Sequence, residues 1–330
     1  MQTVGTSRFY VDIFSYLKAI GLVQNEDDRF KVGLNPTETK QVDFDFTGNA
    51  KEEFDYTLTR SIHQDIIKNP THGNGVVGLL GHNFSSAKVE ARLKIRLDGE
   101  NQAYGDGVEI VNYAGDDAVA AYDGFTLYRT DYDVSGDLLD TFTLRLRNAQ
   151  QNITGTAKLG SLFIGTYYDM PNSPDLNLKL TYEYDGVKTI QTKGGANLSN
   201  ATYTKPADWG EYGAWQLGNN QNYRSGRRVW DLSFSYLSDT DVMPNLGIQN
   251  YEIGQDSEIV DTEDILTGTD FFAQVWNRTL GGHLPFIFQP DKDNANPDQF
   301  VIARFDMKSL KITQSMHRKY NMKIKIRESW

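Results

Sequence analysis

The nine residues KVEARLKIR, 88–96, alternate charged and apolar side chains without a break. Val89, Ala91, Leu93 and Ile95, with Leu97 beyond, oppose Lys88, Glu90, Arg92, Lys94 and Arg96. In an extended chain successive side chains point to opposite faces, so a two-residue period predicts a strand with one face on a core and the other in water. Asp98-Gly99 follows as a turn dipeptide. The same period recurs in TFTLRLRN (Phe142, Leu144, Leu146 inward), in VWDLSFSYL (Trp230, Leu232, Phe234, Tyr236 inward) and in MKIKIR, where Met322, Ile324 and Ile326 oppose Lys323, Lys325 and Arg327. VDFDFTG, GFTLYRT, KLGSLFIG, FVIARFD and SLKIT read as further strands, and the unbroken apolar run GVVGLLGHN as a buried one. With 18 Tyr, 17 Phe and 29 Gly, strands at this spacing predict a mainly β chain of sandwich type and exclude alternating βαβ units.

Two stretches carry a helical period. RFYVDIFSYLKAI, 8–20, puts Phe9, Ile13, Tyr16, Leu17 and Ile20 on one face before Gly21, although Phe9-Val11-Ile13 also fits a strand. DFFAQVWNRTL, 270–280, groups Phe272, Val275, Trp276 and Leu280, with Thr269 or Asp270 as N-cap and Gly281 as a left-handed stop. In NLKLTYEYDGVKTIQT, Leu178, Leu180, Tyr182 and Tyr184 alternate, Asp185-Gly186 turns, and Val187 and Ile190 return as a hairpin. The chain thus divides into 1–175, a strand-rich body; 176–225, a hairpin and an aromatic, Gly-rich connection; and 226–330, strands with one helix.

Several chemistries are excluded. Without cysteine there is no disulfide, thiolate metal site or cysteine nucleophile. The histidines (His63, His72, His82, His283, His317) show no HxH or HExxH spacing. No GxSxG, Walker loop or helix-opening GxGxxG occurs, and the carboxylate pairs are those of any acidic chain, so no enzyme, cofactor or metal is expected. Asp291–Asp298 (DKDNANPD) and the Asp98 turn are oxygen-rich, but neither matches a calcium loop, and an exposed turn is the simpler reading. No apolar run reaches the ~18 residues of a membrane helix, and MQTVGTSRFY lacks a signal-peptide core. A soluble chain without membrane insertion is expected.

The net charge of −11 disfavours a nucleic-acid partner. The charge is uneven. Residues 301–330 hold eight Lys/Arg and two acids, a net of +6, which leaves the first 300 residues at 25 − 42 = −17. A basic end on an acidic body suggests contacts between copies, with Arg318, Lys319, Lys323, Lys325, Arg327 and Trp330 as candidate interface residues. The alternative is a set of edge-strand cations that discourage aggregation. A second candidate surface is Trp209, Tyr212, Trp215 and Tyr223 in a Gly/Asn-rich stretch. Flat aromatics of this kind either stack on sugar rings or fill an interface.

Two resemblances follow from motif order. VVGLLGHNFSSAKVEARLKI, then TFTLRLRNAQQNITGTAKLGSLFIG, after the partly helical start, resembles a discoidin-type (galactose-binding-like) jelly-roll sandwich over residues 8–175. Many such sandwiches bind sugars through loops at one end; no residue here maps onto a defined sugar site. Over the last hundred residues, Trp230, Phe272 with Trp276, Pro285-Phe286 with Pro290, and Glu328 are similar to the minor-tail and distal-tail proteins of long-tailed bacteriophages. That resemblance implies a split β-barrel with one α-helix, repeated as a ring around the tail axis. It also implies a non-enzymatic virion protein assembled in the host cytoplasm, with tail tube, hub and fibre proteins as partners. The separate sandwich departs from the family pattern and leaves copy number and position in the tail open. A carbohydrate-binding adhesin that recognises a host surface glycan is the alternative.

Overall fold

The computed structural model describes residues 4–27, 29, 32–34, 42–44, 51–63, 66–67, 75–96, 108–109, 123–130, 138–148, 156–183, 187–201, 227–242, 268–296 and 299–329. In chain order these form β1 (Arg8–Asp12), α1 (Ile13–Ala19), β2 (Val23–Asn25), β3 (Val42–Phe44), β4 (Lys51–His63), β5 (Gly75–His82), α2 (Phe84–Ala87) and β6 (Val89–Arg96). Then come β7 (Val108–Glu109), β8 (Gly124–Thr130), β9 (Leu138–Asn148), β10 (Ala157–Leu159), β11 (Ser161–Asp169), β12 (Lys179–Glu183), β13 (Val187–Gln191) and β14 (Asn197–Ala201). The C-terminal elements are β15 (Arg227–Ser238), α3 (Asp239–Val242), a π-helical turn (Phe272–Asn277), β16 (Phe286–Gln289), β17 (Val301–Phe305), β18 (Lys311–Met316) and β19 (Lys319–Glu328).

The protein is mainly β and its ladders are antiparallel. One sheet runs β12-β15-β19-β17-β16-β1-β11-β5-β8, with β18 also on β19; a second runs β2-β4-β9-β6-β7. Both are open, and among the described residues no strands close into a barrel. β6 and β9 bury the apolar faces their period predicts. Phe142, Leu144 and Leu146 of β9 and Val89, Ala91 and Leu93 of β6 are fully buried, and they share one core with Val77, Leu79, Phe9, Val11, Leu162 and Ile164 of the large sheet. The other face of the large sheet carries a second cluster around Tyr10, Val76, Leu80, Phe163, Tyr167 and Ile287. β1, β5 and β16 are therefore buried at every residue. This explains why GVVGLLGH reads as continuous apolar sequence: a strand covered on both faces has no wet side to alternate with.

The central sheet takes β1, β5, β8 and β11 from before residue 175 and β15 to β19 from after 226. β1 pairs with β11 on one edge and β16 on the other. Opposite Asp12 in that ladder stands Gly165, where an added Cβ would overlap the Val11 carbonyl oxygen, so the close approach of β1 and β11 requires glycine there.

Four local expectations are corrected. First, 8–20 is a strand and then a helix. The buried Asp12 caps α1, accepting from Ser15 N (3.0 Å) and Ser15 Oγ (2.6 Å), and it also accepts from Leu34 N (2.9 Å). Second, β12 and β13 are not paired with each other as the expected 178–190 hairpin requires; its Tyr184 and Asp185-Gly186 turn lie outside the described residues. β12 pairs with β15, Leu180 opposite Trp230, and β13 pairs with β14, Ile190 opposite Leu198. Leu178 and Leu180 pack against the main core, whereas Ile190 and Leu198 stay exposed, so burial draws β12 to a distant partner.

Third, the segment expected as an α-helix at 270–280 is a single π-helical turn at 272–277, and Gly281 N donates to Trp276 O five residues back. Widening rotates the faces: Phe271 is buried, Phe272 and Trp276 are half-buried and Leu280 is exposed. Asp270 caps the turn through Ala273 N (3.0 Å), and Leu280, Gly281 and Gly282 all take positive φ after it. Fourth, Glu90 and Lys94, expected in water, are buried. The Glu90 carboxylate is held by Arg92 Nε of β6 and an Arg147 guanidinium nitrogen of β9, both at 2.6 Å, so arginines of two neighbouring strands cover it.

Candidate functional site

The closing strand β19 buries Met322, Ile324 and Ile326 and turns Lys323, Lys325 and Arg327 to the opposite face. Register extends that face across three strands. Lys325 stands opposite Asp231 of β15, and Asp231 opposite Lys179 of β12. At the far side Asp306 accepts from Lys325 Nζ at 2.7 Å, while its own N–H donates to Lys325 O at 2.8 Å. The row reads Lys179, Asp231, Lys325, Asp306, with alternating sign. The next row is Ser233, Lys323 and Lys311, since Lys323 faces both β15 and β18. Between these rows and the turn that joins β17 to β18 lies a cleft of about 450 Å³, lined by Asn177, Lys179, Asp231, Ser233, Met307 and Lys323 among others.

The basic residues predicted to form an interface do not share one role. Lys325 is held by Asp306, whose hydrogen bond and charge raise the lysine pKa. Arg327 pairs with Glu183 at 3.0 Å and Arg318 with Asp239 at 3.7 Å. Among the described residues Lys179, Lys311, Lys319 and Lys323 have no acidic side chain within ion-pair distance. Glu328 is a clamp: it accepts from Arg228 N at 2.9 Å and Nε at 3.2 Å and so ties the last strand to β15. The Arg228 guanidinium in turn lies 5.5 Å from the centroid of the buried Trp230 ring.

Beside the cleft, β18 and the start of β19 form a hairpin whose residues from Thr313 to Lys319 are all exposed, so both of its faces are in water. Arg318 takes positive φ in its turn. On the adjoining end of β15, Tyr236 departs from the expected pattern. A bulge between Phe234 and Leu237 shifts the register, Tyr236 adopts φ +61° and is exposed, and Leu237 takes the buried place. One extra residue in the ladder moves the inward position by one.

Trp209, Tyr212, Trp215, Tyr223 and Trp330 lie outside the described residues. In the oxygen-rich 291–296 stretch, Asp291 Oδ1 accepts from Asp293 N and Asn294 Oδ1 from Asn296 N, the contacts of a folded turn. Among the described residues no three His, Asp or Glu side chains converge on a point, and no helix is long and apolar enough to cross a membrane. The sequence reading missed Lys179, Lys311, Asp231 and Asp306. The signal for three of them was their place on the polar face of a strand; Asp306, in a turn, had none.

Comparison with protein-family models, with curated proteins and with solved structures finds no match.

Proposed function

We propose that this chain is a structural virion protein of a tailed bacteriophage, built to assemble with copies of itself as a ring at the tail tip or baseplate. The observation that carries this reading is the tip of the β18–β19 hairpin, Thr313 to Lys319, which is exposed on both faces and lies in the basic end of an otherwise acidic chain. A hairpin with neither face covered is marginal in water, and an open edge invites pairing. Its lysines repel a second hairpin of the same kind. A two-fold contact of basic against basic is therefore disfavoured, and a head-to-tail contact of basic against acidic is favoured. Head-to-tail contacts close into rings when the rotation allows.

The resemblance of Trp230, Trp276, Pro285-Phe286 and Glu328 to tail-tip proteins supports the same reading. On it, the smaller sheet with β1, β5, β8 and β11 corresponds to the jelly-roll body, and β15 to β19, which complete the large sheet, correspond to the split barrel. Tail tube, hub and fibre proteins are then the neighbours, and the virion, assembled in the host cytoplasm, is the location. Size-exclusion chromatography with light scattering tests it: a discrete oligomer at micromolar concentration that dissociates as salt rises is expected. A monomer at every concentration and salt removes the reading.

A further inference from the structure

We infer that the cleft beneath the β17–β18 turn seats a carboxylate-bearing surface of a neighbouring copy of this chain, held by Lys179, Lys311 and Lys323. The inference rests on the assembly reading above and deepens it, because it moves the docking charge away from the arginines. Arg327 and Arg318 already have Glu183 and Asp239 within the chain, and Lys325 has Asp306. What remains is a cationic excess. Lys179, Lys323 and Lys325 line the cleft against Asp231 and Asp306, and Lys311 stands directly across the ladder from Lys323.

Like charges directly opposite in an antiparallel pair are destabilising. Among the described residues neither Lys311 nor Lys323 has an acidic side chain within ion-pair distance, and the nearby Asp306 is engaged by Lys325. A carboxylate placed between the two ammonium groups turns one repulsion into two attractions. The volume of about 450 Å³ accommodates a side chain with its flanking backbone. The occupant follows from charge: the first 300 residues of this chain carry −17, so the neighbour in a head-to-tail contact brings carboxylates.

The test uses the full-length protein and two readouts. Fluorescein-labelled deca-glutamate, with deca-glutamine as control, is titrated by anisotropy, and self-association is followed by sedimentation velocity. Lys323→Glu and Lys311→Glu are compared with Lys193→Glu, which makes the same charge change at an exposed turn; Lys323→Ala serves where a reversal unfolds the protein. Expected are loss of at least about tenfold in deca-glutamate affinity and loss of the oligomer for the cleft variants, with Lys193→Glu within about twofold of the parent.

Self-association unchanged in both cleft variants overturns the inference and leaves the ring reading standing. A parent protein that binds deca-glutamate through these lysines yet stays monomeric overturns the ring reading, while the carboxylate preference of the cleft holds. Tighter binding of dextran sulfate than of deca-glutamate through the same lysines overturns the inference in favour of an anionic polysaccharide.

Discussion

Tyr236 and His82 show how far a single residue can depart from what its neighbours predict. Tyr236 sits in a period that places it inward, yet the bulge turns it out and leaves it with a left-handed backbone, a conformation that costs a bulky residue about 1–3 kcal/mol. His82 closes a buried strand that reads as purely apolar. It is fully buried, accepts from Phe84 N at Nδ1 (3.3 Å) and shares a 3.0 Å hydrogen bond between Nε2 and Thr126 Oγ1. With Nδ1 accepting, the imidazole is neutral and Nε2–H is the donor. Burial pushes its pKa down from 6.5 to about 4, against a small opposing effect of Asp123. The unfolded chain therefore binds the proton more readily, so the stability tied to neutral His82 is fully present above pH 6.5 and is lost as pH falls toward 4. The difference amounts to about 3 kcal/mol. Urea unfolding of the parent and of His82→Gln at pH 7 and pH 4 should show the variant losing about that much less over the interval. Equal losses would exclude a buried neutral imidazole.

At the scale of elements, the large sheet is graded from a doubly covered centre to an uncovered tip. β1 is paired on both edges and buried at every residue. β18 is paired on β19 alone and is exposed at five of its six residues. Local opening costs little where few apolar contacts hold a segment and approaches the global value in the core. In dilute protein the amides of 312–316 should exchange at least ~100-fold faster than those of 9–11, as read by hydrogen-exchange mass spectrometry. Comparable protection in the dilute protein would mean that something other than a second copy already covers the hairpin. The π-helical turn belongs to the same scale: Phe271 enters the core edge-on to Phe9 at 5.5 Å between ring centroids, a place the α-helical period had assigned to Phe272.

At the scale of the whole molecule, strands from both ends of the chain share one core. The Phe9 ring meets Phe271, Phe286, Phe288 and Phe305 at 5.2–6.2 Å between centroids, and all four partners lie beyond residue 270. A fragment of residues 1–175 loses those rings and the β16 edge of β1, and its buried face opens to water. It should show no cooperative thermal transition by circular dichroism, whereas the full chain should. A sharp melt of the isolated fragment would mean that its sheets stand without the C-terminal strands.

The sequence by itself determined which residues of β6, β9 and β19 face inward, because a half-buried strand writes its two-residue period directly into the chain. It also determined the sign of the closing strand, since charge is additive and needs no fold. Only the tertiary structure decided partners: β12 with β15 in place of β13, Arg327 with Glu183, Lys323 with Lys311. Periodicity is a local property and says nothing about which distant strand lies alongside. The bulge at Tyr236, the widened turn at Phe272 and the buried Glu90 were hidden for the same reason. Each is a local deviation that long-range burial and pairing select, and the cleft exists only where β12, β15 and β19 are brought side by side.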